Sequence, residues 1–325
     1  MKTRAIVVHE AGGPEQLRSE ELELAPPGRG EVRVAQTAIG LNFIDVYYRT
    51  GLYAPPQWPY VPGLEGAGVV TALGPAVSML AVGDRVAYAT RPMGAYAAER
   101  NLPANRLVKL PSGVDERLAA ALIFKGLTAE YLIRRVVAPP RGSWVLVHSA
   151  AGGVGSLLVQ WAKHLGLCVV GTVSNATKAA EARADGADEV VIVPGEDFVE
   201  RVKRVTNGAG CSAVYDAVGK DTFLRSIECV GVRGTLASYG QSSGKIAPFD
   251  IALLAKNSIF LARPSLFHYA ADDAEYQQAA REVFRLARER VLNCRIGQTF
   301  PLAEAARAHA ALEGRKTSGS TLLIP

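Results

Sequence analysis

The feature that most constrains the fold is a glycine-rich turn at residues 150–155, with the sequence AAGGVG. It follows an apolar segment at 144–148, which predicts a buried strand, and it opens a helical pattern at 154–165. In this context Gly152 lets the backbone approach a pyrophosphate, and Gly155 lets the helix pack closely on the sheet. The free N–H groups at the helix N-terminus attract the same anion. The turn therefore predicts a dinucleotide-binding site.

The segments around this turn alternate between strand and helix patterns. Such alternation is typical of a parallel sheet that helices cover on both faces. A glycine-rich turn with no ligand is the alternative interpretation, and the first position of the fingerprint is indeed Ala150 rather than Gly. That position needs only a tight turn, so a small Ala is a minor departure. The continuing alternation favours the dinucleotide site. Strands are predicted at 144–148, 167–173, 189–193, 213–215 and 235–238.

The segment about 20 residues beyond the turn distinguishes NAD from NADP, because an acid there binds the ribose 2′-hydroxyl of NAD. Here the segment holds Ser174, Asn175, Thr177 and Lys178, and no Asp or Glu occurs before Glu181. A carboxylate would repel a 2′-phosphate, whereas hydroxyl groups and an ammonium bind one. The sequence therefore predicts NADPH rather than NADH.

The parts before and after this region have a different texture. The first third contains short β-branched segments separated by Gly and Pro, which predicts a partly open β-barrel or a sandwich. The tail predicts helices at 274–290 and 301–312 and a strand at 320–324. We expect this tail to return to the first domain.

Composition excludes several classes of protein. The 325 residues carry 36 basic and 31 acidic side chains that are scattered along the chain, so no nucleic-acid surface is indicated. No apolar segment approaches the roughly 18 residues that cross a bilayer, and no secretory signal is visible, so we expect a cytoplasmic protein with no membrane partner. The four cysteines lack the spacing of a metal site or a disulfide framework.

Short motifs spread over nearly the whole chain match one known pattern. They are GGPE at 12–15, GLNFID at 40–45, RTGLY at 49–53, PGLEGAG at 62–68, GDRV at 83–86, KGLTA at 125–129, HSAAGGVG at 148–155, YDAVG at 215–219 and RPSL at 263–266. Together they resemble the medium-chain dehydrogenase/reductase superfamily, and most closely its zinc-free, zeta-crystallin-like quinone oxidoreductase branch. The resemblance implies an α/β protein with a GroES-like β-barrel catalytic domain at 1–125 and 264–325. A Rossmann NADPH-binding domain with a doubly wound parallel sheet would be inserted at 126–263, with the active site in the cleft.

The resemblance also implies a set of cofactor contacts. The nicotinamide end would meet Asn42, Phe43, Tyr47 and Thr128, the pyrophosphate would meet Gly152, Gly153 and Val154, and the 2′-phosphate would meet Ser174 and Lys178. The groove would be lined by Ala217, Tyr239, Gly240, Gln241, Ser242 and Ser243, and closed by Arg263, Pro264 and Ser265. Two positions depart from the family, since Val193 stands where we expect an adenosine-side Tyr and Ala217 stands where Ser is frequent.

The sequence argues against a zinc site. In the alcohol dehydrogenases of the superfamily, a Cys and a Gly-His-Glu segment stand near the positions of Asn42 and of Gly63-Leu64-Glu65. Leu cannot ligate a metal, and a neutral Asn is a poor zinc ligand. We therefore expect no metal.

A metal-free site suits a quinone, which is already electrophilic. Positioning it beside NADPH supplies much of the catalysis, and the developing oxyanion benefits from a hydrogen-bond donor. Tyr47 and Tyr53, in a loop that we expect to face the cleft, are the candidate donors. The alternative interpretation is that these tyrosines only shape the pocket. Asn42 and Asp45 would orient the loop or the nicotinamide amide.

We therefore predict an NADPH-dependent quinone reductase. One alternative is a zinc-free NADPH-dependent reductase of activated C=C bonds, as in alkenals or enones. The other is an NADPH-binding protein with a structural or RNA-binding role. We also expect a homodimer, because the apolar segments 235–239 and 259–262 are candidate edge strands of the Rossmann sheet.

Overall fold

The structure is a computed structural model that describes all residues from Met1 to Pro325. It contains two compact units. The first comprises Met1–Lys125, Ala270–Glu289 and Cys294–Pro325, and the second comprises Gly126–Tyr269 and Arg290–Asn293. The domain boundaries inferred from the sequence stay a prediction.

The N-terminal part of the first unit consists mainly of strands. They are β1 (Lys2–Val7), β2 (Arg18–Glu23), β3 (Glu31–Leu41), β4 (Glu65–Leu73), β5 (Arg85–Ala89), β6 (Glu99–Pro103) and β7 (Val108–Lys109). Helix α1 (Phe43–Arg49) follows β3, and helix α2 (Glu116–Glu130) follows β7. Strands β1 and β2 form a separate antiparallel pair. The sequence prediction of a β-rich N-terminal part is confirmed, but it missed the helix α1.

The second unit is a six-stranded parallel sheet with helices between its strands. Its strands are β8 (Trp144–Val147), β9 (Cys168–Val173), β10 (Glu189–Ile192), β11 (Cys211–Asp216), β12 (Val230–Ser238) and β13 (Phe260–Ala262). Its helices are α3 (Gly153–His164), α4 (Ala176–Ala184), α5 (Phe198–Val205), α6 (Phe223–Glu228) and α7 (Leu266–Tyr269). The strand order is β10-β9-β8-β11-β12-β13, so the direction of winding reverses between β8 and β11. The predicted Rossmann-type sheet is confirmed.

The tail of the chain completes the sheet of the first unit. It contains α8 (Asp273–Arg288), β14 (Ile296–Pro301), α9 (Ala305–Glu313) and β15 (Ser320–Ile324). The sheet has the order β14-β15-β3-β4-β5-β7, with β6 paired to β3. Strand β15 runs antiparallel to β3, with Leu322 opposite Gly40. The expected return of the tail is therefore present, but the helix predicted to start at Pro301 starts at Ala305, because Pro301 ends β14.

Aliphatic side chains on successive strands form the core of the second unit. Leu146, Val170, Val191, Val214 and Leu236 are all buried in one cluster. Burial on both faces explains why these strands are continuously apolar rather than alternating. Separately, no helix of the protein combines the length and the apolar character that crossing a membrane requires.

Candidate functional site

The turn between β8 and α3 leaves no room for a side chain at Gly155 and only a tight fit at Gly152. A Cβ on Gly155 would lie 2.2 Å from the carbonyl oxygen of Ser149, and a Cβ on Gly152 would lie 3.1 Å from the same atom. The left-handed conformation of the turn is at Ser149, with φ of 55°, and not at Ala150. The Ala at the first fingerprint position is therefore accommodated without strain. Because the first N–H groups of a helix have no partner within it, those of α3 are available to an anion.

This turn lies at the point where the sheet reverses its winding, which is where ligands bind in open α/β sheets. The loop after β11 lies at the neighbouring strand end, and its conformation is fixed by Asp216. The carboxylate of Asp216 accepts hydrogen bonds from the backbone N–H groups of Val218 at 2.8 Å and Gly219 at 3.0 Å. The sequence-predicted residues after β8 and after β11 thus share one edge of the sheet.

The loop after β12 is bonded to the loop after β11. The N–H of Ser242 donates to the carbonyl of Ala217 at 3.2 Å, and that of Ser243 donates to Val218 at 2.9 Å. A guanidinium N–H of Arg263 donates to the carbonyl of Ser238 at 2.7 Å. The structure therefore brings together the predicted groove residues Ala217, Tyr239, Gly240, Gln241, Ser242, Ser243 and Arg263, with Pro264 and Ser265 next in the chain.

A buried polar network bonds to Asp216, the residue that fixes the loop after β11. His148 is fully buried, and its Nδ1 and Nε2 lie 2.9 Å from the hydroxyl groups of Thr172 and Ser226. Ser226 in turn donates to the carboxylate of Asp216 at 3.1 Å. Burial lowers the pKa of His148, which keeps the ring neutral. With both ring nitrogens bonded and no access to solvent, this histidine is structural.

The end of β9 carries no carboxylate near the expected 2′-phosphate position. Strand β9 ends at Val173, Ser174 is exposed, and Lys178 lies half-buried in the first turn of α4. The side chain of Asn175 accepts a hydrogen bond from the N–H of Lys178 at 2.9 Å and so caps α4. Ser174 and Lys178 therefore both lie just after the carboxyl end of β9, and their contact with a 2′-phosphate stays a prediction.

The first unit holds the predicted tyrosines, but not both of them in a loop. Tyr47 lies on α1, and Tyr53 follows the helix. Their rings pack edge to face with centroids 5.3 Å apart, and the N–H of Tyr53 donates to the carbonyl of Tyr47 at 3.0 Å. The expectation of a loop at Tyr47 was wrong because it overlooked the helix-capping pair Asn42 and Asp45.

That capping pair is buried. The Asp45 carboxylate accepts from the N–H of Asn42 at 2.9 Å and from the hydroxyl of Tyr96 at 3.3 Å. Burial, reinforced by the nearby charge of Glu65, raises the pKa of Asp45 to about 7. Asp45 is 0% exposed. Its carboxyl group accepts from the N–H of Asn42 and so helps to fix the start of α1.

A further cluster surrounds the side chain of Asn42. Its Nδ2 donates to Oε1 of Glu65 at 2.8 Å, and Nζ of Lys125 lies 2.6 Å from the same oxygen. Oε2 of Glu65 accepts from the N–H of Phe124 at 2.9 Å. No role was predicted for Lys125, because only the fold brings it close to Glu65.

No group of three or more His, Cys, Asp or Glu side chains is placed to hold a metal ion. The residues at the expected zinc position do not fit the metal either. Asn42 is bonded to Glu65, Leu64 has no ligating atom, and the Glu65 carboxylate is already paired with an ammonium.

Comparison with known proteins gives matches over nearly the whole chain. Residues 28–138 match the family described as alcohol dehydrogenase GroES-like domain, and residues 153–285 match the family described as zinc-binding dehydrogenase. A quinone oxidoreductase of Pseudomonas aeruginosa is 47% identical over 97% of each chain. A 2-haloacrylate reductase of a Burkholderia species is 41% identical, over 99% of this chain and 98% of that protein. The crystal structure of Escherichia coli quinone oxidoreductase complexed with NADPH is 42% identical, with a TM-score of 0.96, and the match covers 99% of this chain and 100% of that chain.

Proposed function

This chain belongs to the quinone oxidoreductase family of the medium-chain dehydrogenase/reductase superfamily, and we propose that it reduces quinones with NADPH. The observation that carries the proposal is the phosphate-binding turn at the reversal point of the sheet, beside a β9 end that has Ser174 and Lys178 and no carboxylate. The turn suits a pyrophosphate, and the β9 end suits a 2′-phosphate.

Bound NADPH supplies the reducing equivalents. The chain's own residues bind and orient it: the N–H groups at the start of α3, with Gly152, Gly153 and Val154, hold the pyrophosphate, and Lys178 pairs with the 2′-phosphate. The loops after β11 and β12 are fixed by Asp216 and by each other, so they form a rigid wall for the cofactor. We propose further cofactor contacts at Asn42, Phe43, Tyr47, Thr128, Arg263, Pro264 and Ser265.

The quinone itself needs little activation, since its reduction yields an aromatic ring. Positioning accounts for most of the rate enhancement, and a hydroxyl group stabilises the developing oxyanion. We assign that role to Tyr53, with Tyr47 as the second candidate. The reaction proceeds without zinc, because the donor set at Asn42, Leu64 and Glu65 does not fit the metal.

A second function is favoured by one finding. The similarity to a 2-haloacrylate reductase makes an activated C=C bond the leading alternative substrate class. The two reactions differ in the acceptor and share the cofactor site, so a comparison of acceptors separates them.

The test is a rate comparison on the full-length protein, with NADPH and with NADH, using 1,4-benzoquinone, 1,4-naphthoquinone, 2-haloacrylate and a 2-alkenal. We expect the highest kcat/KM with NADPH and a quinone. A higher kcat/KM with haloacrylate or alkenal would support the alternative reductase. Tight NADPH binding without turnover of any acceptor would instead support a structural or RNA-binding role.

We also propose a homodimer formed through β13. This strand is at the edge of the sheet and exposes Phe260 and Leu261, which are 62% and 38% accessible. An exposed apolar edge strand favours pairing across a two-fold axis. Strand β12, the other candidate from the sequence, is not an edge, because it lies between β11 and β13. A cytoplasmic location stays a prediction.

A further inference from the structure

The buried hydroxyl group of Ser226, on helix α6, lies between two groups that can accept its hydrogen. It is 3.1 Å from Oδ2 of Asp216 and 2.9 Å from Nε2 of His148. All three side chains are 0% exposed, so no solvent competes for these bonds. A hydroxyl group has one hydrogen to donate. Ser226 can therefore serve only one of its two neighbours as a donor.

The two oxygens of the Asp216 carboxylate have different partners. Oδ1 accepts from the backbone N–H groups of Val218 at 2.8 Å and Gly219 at 3.0 Å. Oδ2 accepts from the hydroxyl groups of Thr222 at 2.8 Å and Ser226 at 3.1 Å. Because a carboxylate is planar, the bonds at Oδ2 set the rotation of the group and with it the position of Oδ1. The direction in which Ser226 donates therefore bears on the loop after β11.

The hydrogen on the imidazole of His148 decides that direction. Burial lowers the pKa of His148 against the opposing charge of Asp216, so the ring is neutral and only one nitrogen carries a hydrogen. With the hydrogen on Nδ1, the bare Nε2 would take the hydrogen of Ser226 from Asp216. A buried charged acceptor loses more by this than a neutral nitrogen does.

The other tautomer satisfies every group. With the hydrogen on Nε2, the ring donates to the oxygen of Ser226, and the hydroxyl of Ser226 donates to Asp216. The hydroxyl of Thr172 lies 2.9 Å from Nδ1 and can then donate to that bare nitrogen. All donors thus point along one chain, from Thr172 to the carboxylate.

This chain runs between the two halves of the proposed cofactor site. Thr172 lies on β9, His148 directly follows β8, and Asp216 ends β11. In a doubly wound sheet the strands on the two sides of the reversal bind different nucleotides of a dinucleotide. The β9 end belongs to the half proposed for the 2′-phosphate, so the loop after β11 belongs to the nicotinamide half.

We propose that Ser226 is a positioning residue for the nicotinamide half of the cofactor groove, held in its donor direction toward Asp216 by the Nε2–H tautomer of His148. Ser226 is fully buried and acts through the carboxylate on the loop that carries the proposed groove residue Ala217. This inference rests on the proposed function and adds to it a residue outside the groove.

The tautomer is measured by ¹⁵N NMR of the histidine side chains in the full-length protein, with His148→Gln to assign the signals. We expect a pyrrole-like Nε2 and a pyridine-like Nδ1 at His148. Thr172→Val should show the same pattern, because the carboxylate end of the chain sets the tautomer. A hydrogen on Nδ1 in either protein overturns the proposal.

The positioning role is measured by calorimetry with NADP⁺ and with adenosine 2′,5′-bisphosphate, which lacks the nicotinamide half. In Ser226→Ala we expect the Kd of NADP⁺ to rise about tenfold and that of the bisphosphate to stay level, since a hydrogen bond to a charged group is lost. Thr172→Val is the matched control, because it removes the bond on the other side of the same imidazole. It should leave the ratio of the two Kd values unchanged.

A merely structural role of Ser226 would change both Kd values in proportion, and a wild-type ratio in Ser226→Ala overturns the proposal. An equal change of the ratio in Thr172→Val overturns it as well. If Ser226→Ala does not fold, Ser226→Cys decides the matter, because a thiol is a weak donor: a rise confined to NADP⁺ supports the proposal, and an unchanged ratio overturns it. Failure of the wild-type protein to bind either ligand would instead contradict the proposed function.

Discussion

The carbonyl oxygen of Ser149 lies 2.2 Å from the point that a Cβ of Gly155 would occupy, so helix α3 packs directly on the backbone of the preceding turn. The contact is between backbone atoms on both sides, and neither can rotate away. The position of the α3 N-terminus, and with it the proposed pyrophosphate site, depends on this approach.

Gly155→Ala is therefore expected to displace α3. Overpacking of this kind costs about 1–3 kcal/mol, and for a chain of 325 residues each kcal/mol lowers Tm by about 1–2 °C. Gly152→Ala is the matched control, since its Cβ would lie 3.1 Å from the same oxygen. Thermal unfolding without cofactor measures the difference, and equal Tm values for the two variants would contradict the packing argument.

Lys178→Ala is expected to weaken NADPH specifically. Loss of a charge-assisted contact to the 2′-phosphate raises the KM for NADPH about tenfold and leaves that for NADH unchanged. Lys163→Ala is the control, because Lys163 pairs with Asp188 at 2.7 Å on the same unit. If KM for the two cofactors rises equally in Lys178→Ala, the assignment of NADPH specificity to this residue is wrong.

Tyr53→Phe tests the hydroxyl donor. Its loss is expected to lower kcat for a quinone about tenfold or more while the KM for NADPH stays level, because the interaction forms only in the transition state. Tyr48→Phe, whose ring also packs against Tyr53 at a centroid distance of 5.8 Å, is the control for packing. If Tyr53→Phe and Tyr47→Phe both retain full kcat, neither residue is a required donor.

Asp45→Asn tests the buried carboxyl group. Burial raises its pKa from 3.8 to about 7, against the opposing effects of Lys125 and of the bonds from Asn42 and Tyr96. The folded state thus binds this proton more tightly than the unfolded chain does, so the stabilisation is complete below about pH 4 and is lost as the pH rises to about 7.

The wild-type protein should therefore lose stability relative to Asp45→Asn by at least about 1 kcal/mol between these pH values. Chemical denaturation at several pH values measures it. Asp84→Asn gives the contrast, because Lys109 lowers the pKa of Asp84 and its contribution is lost only as the pH falls. A stability difference between wild type and Asp45→Asn that does not change with pH would show that Asp45 is ionised throughout.

Phe260→Lys and Leu261→Lys are expected to convert the proposed dimer into monomers, since a lysine on an edge strand opposes pairing. Ile251→Lys, at a position that is 75% exposed and outside β13, should leave the dimer intact. Light scattering gives the molar mass. A wild-type monomer, or a dimer that persists in both β13 variants, would exclude this interface.

The sheet of the second unit was predictable because each of its signals is local. Strands 144–148 and 167–173 are short apolar segments, and the glycine turn directly joins the first of them to its helix. The left-handed conformation of Ser149 was not predictable, because no sequence pattern indicates a positive φ at a serine. Helix α1 was missed since its seven residues are too few to show a helical period.

The site in the first unit depends on contacts between residues far apart in sequence. Glu65 and Lys125 are 60 positions apart, and nothing in the local pattern of either indicates the other. The residue type at position 64 argues against a zinc ligand, whereas only the structure shows that the Glu65 carboxylate pairs with Lys125.

Strand β15 pairs with β3 and β14, so the sheet of the first unit includes a segment that is translated after the whole of the second. On the ribosome, the six parallel strands can assemble while β3 is paired with β4 and β6 but still lacks its third partner, β15. The sheet of the first unit therefore stays incomplete at β3 until β15 has been synthesised. We expect a ribosome-stalled chain that ends before β15 to protect the second unit from protease and to leave the first unit cleavable.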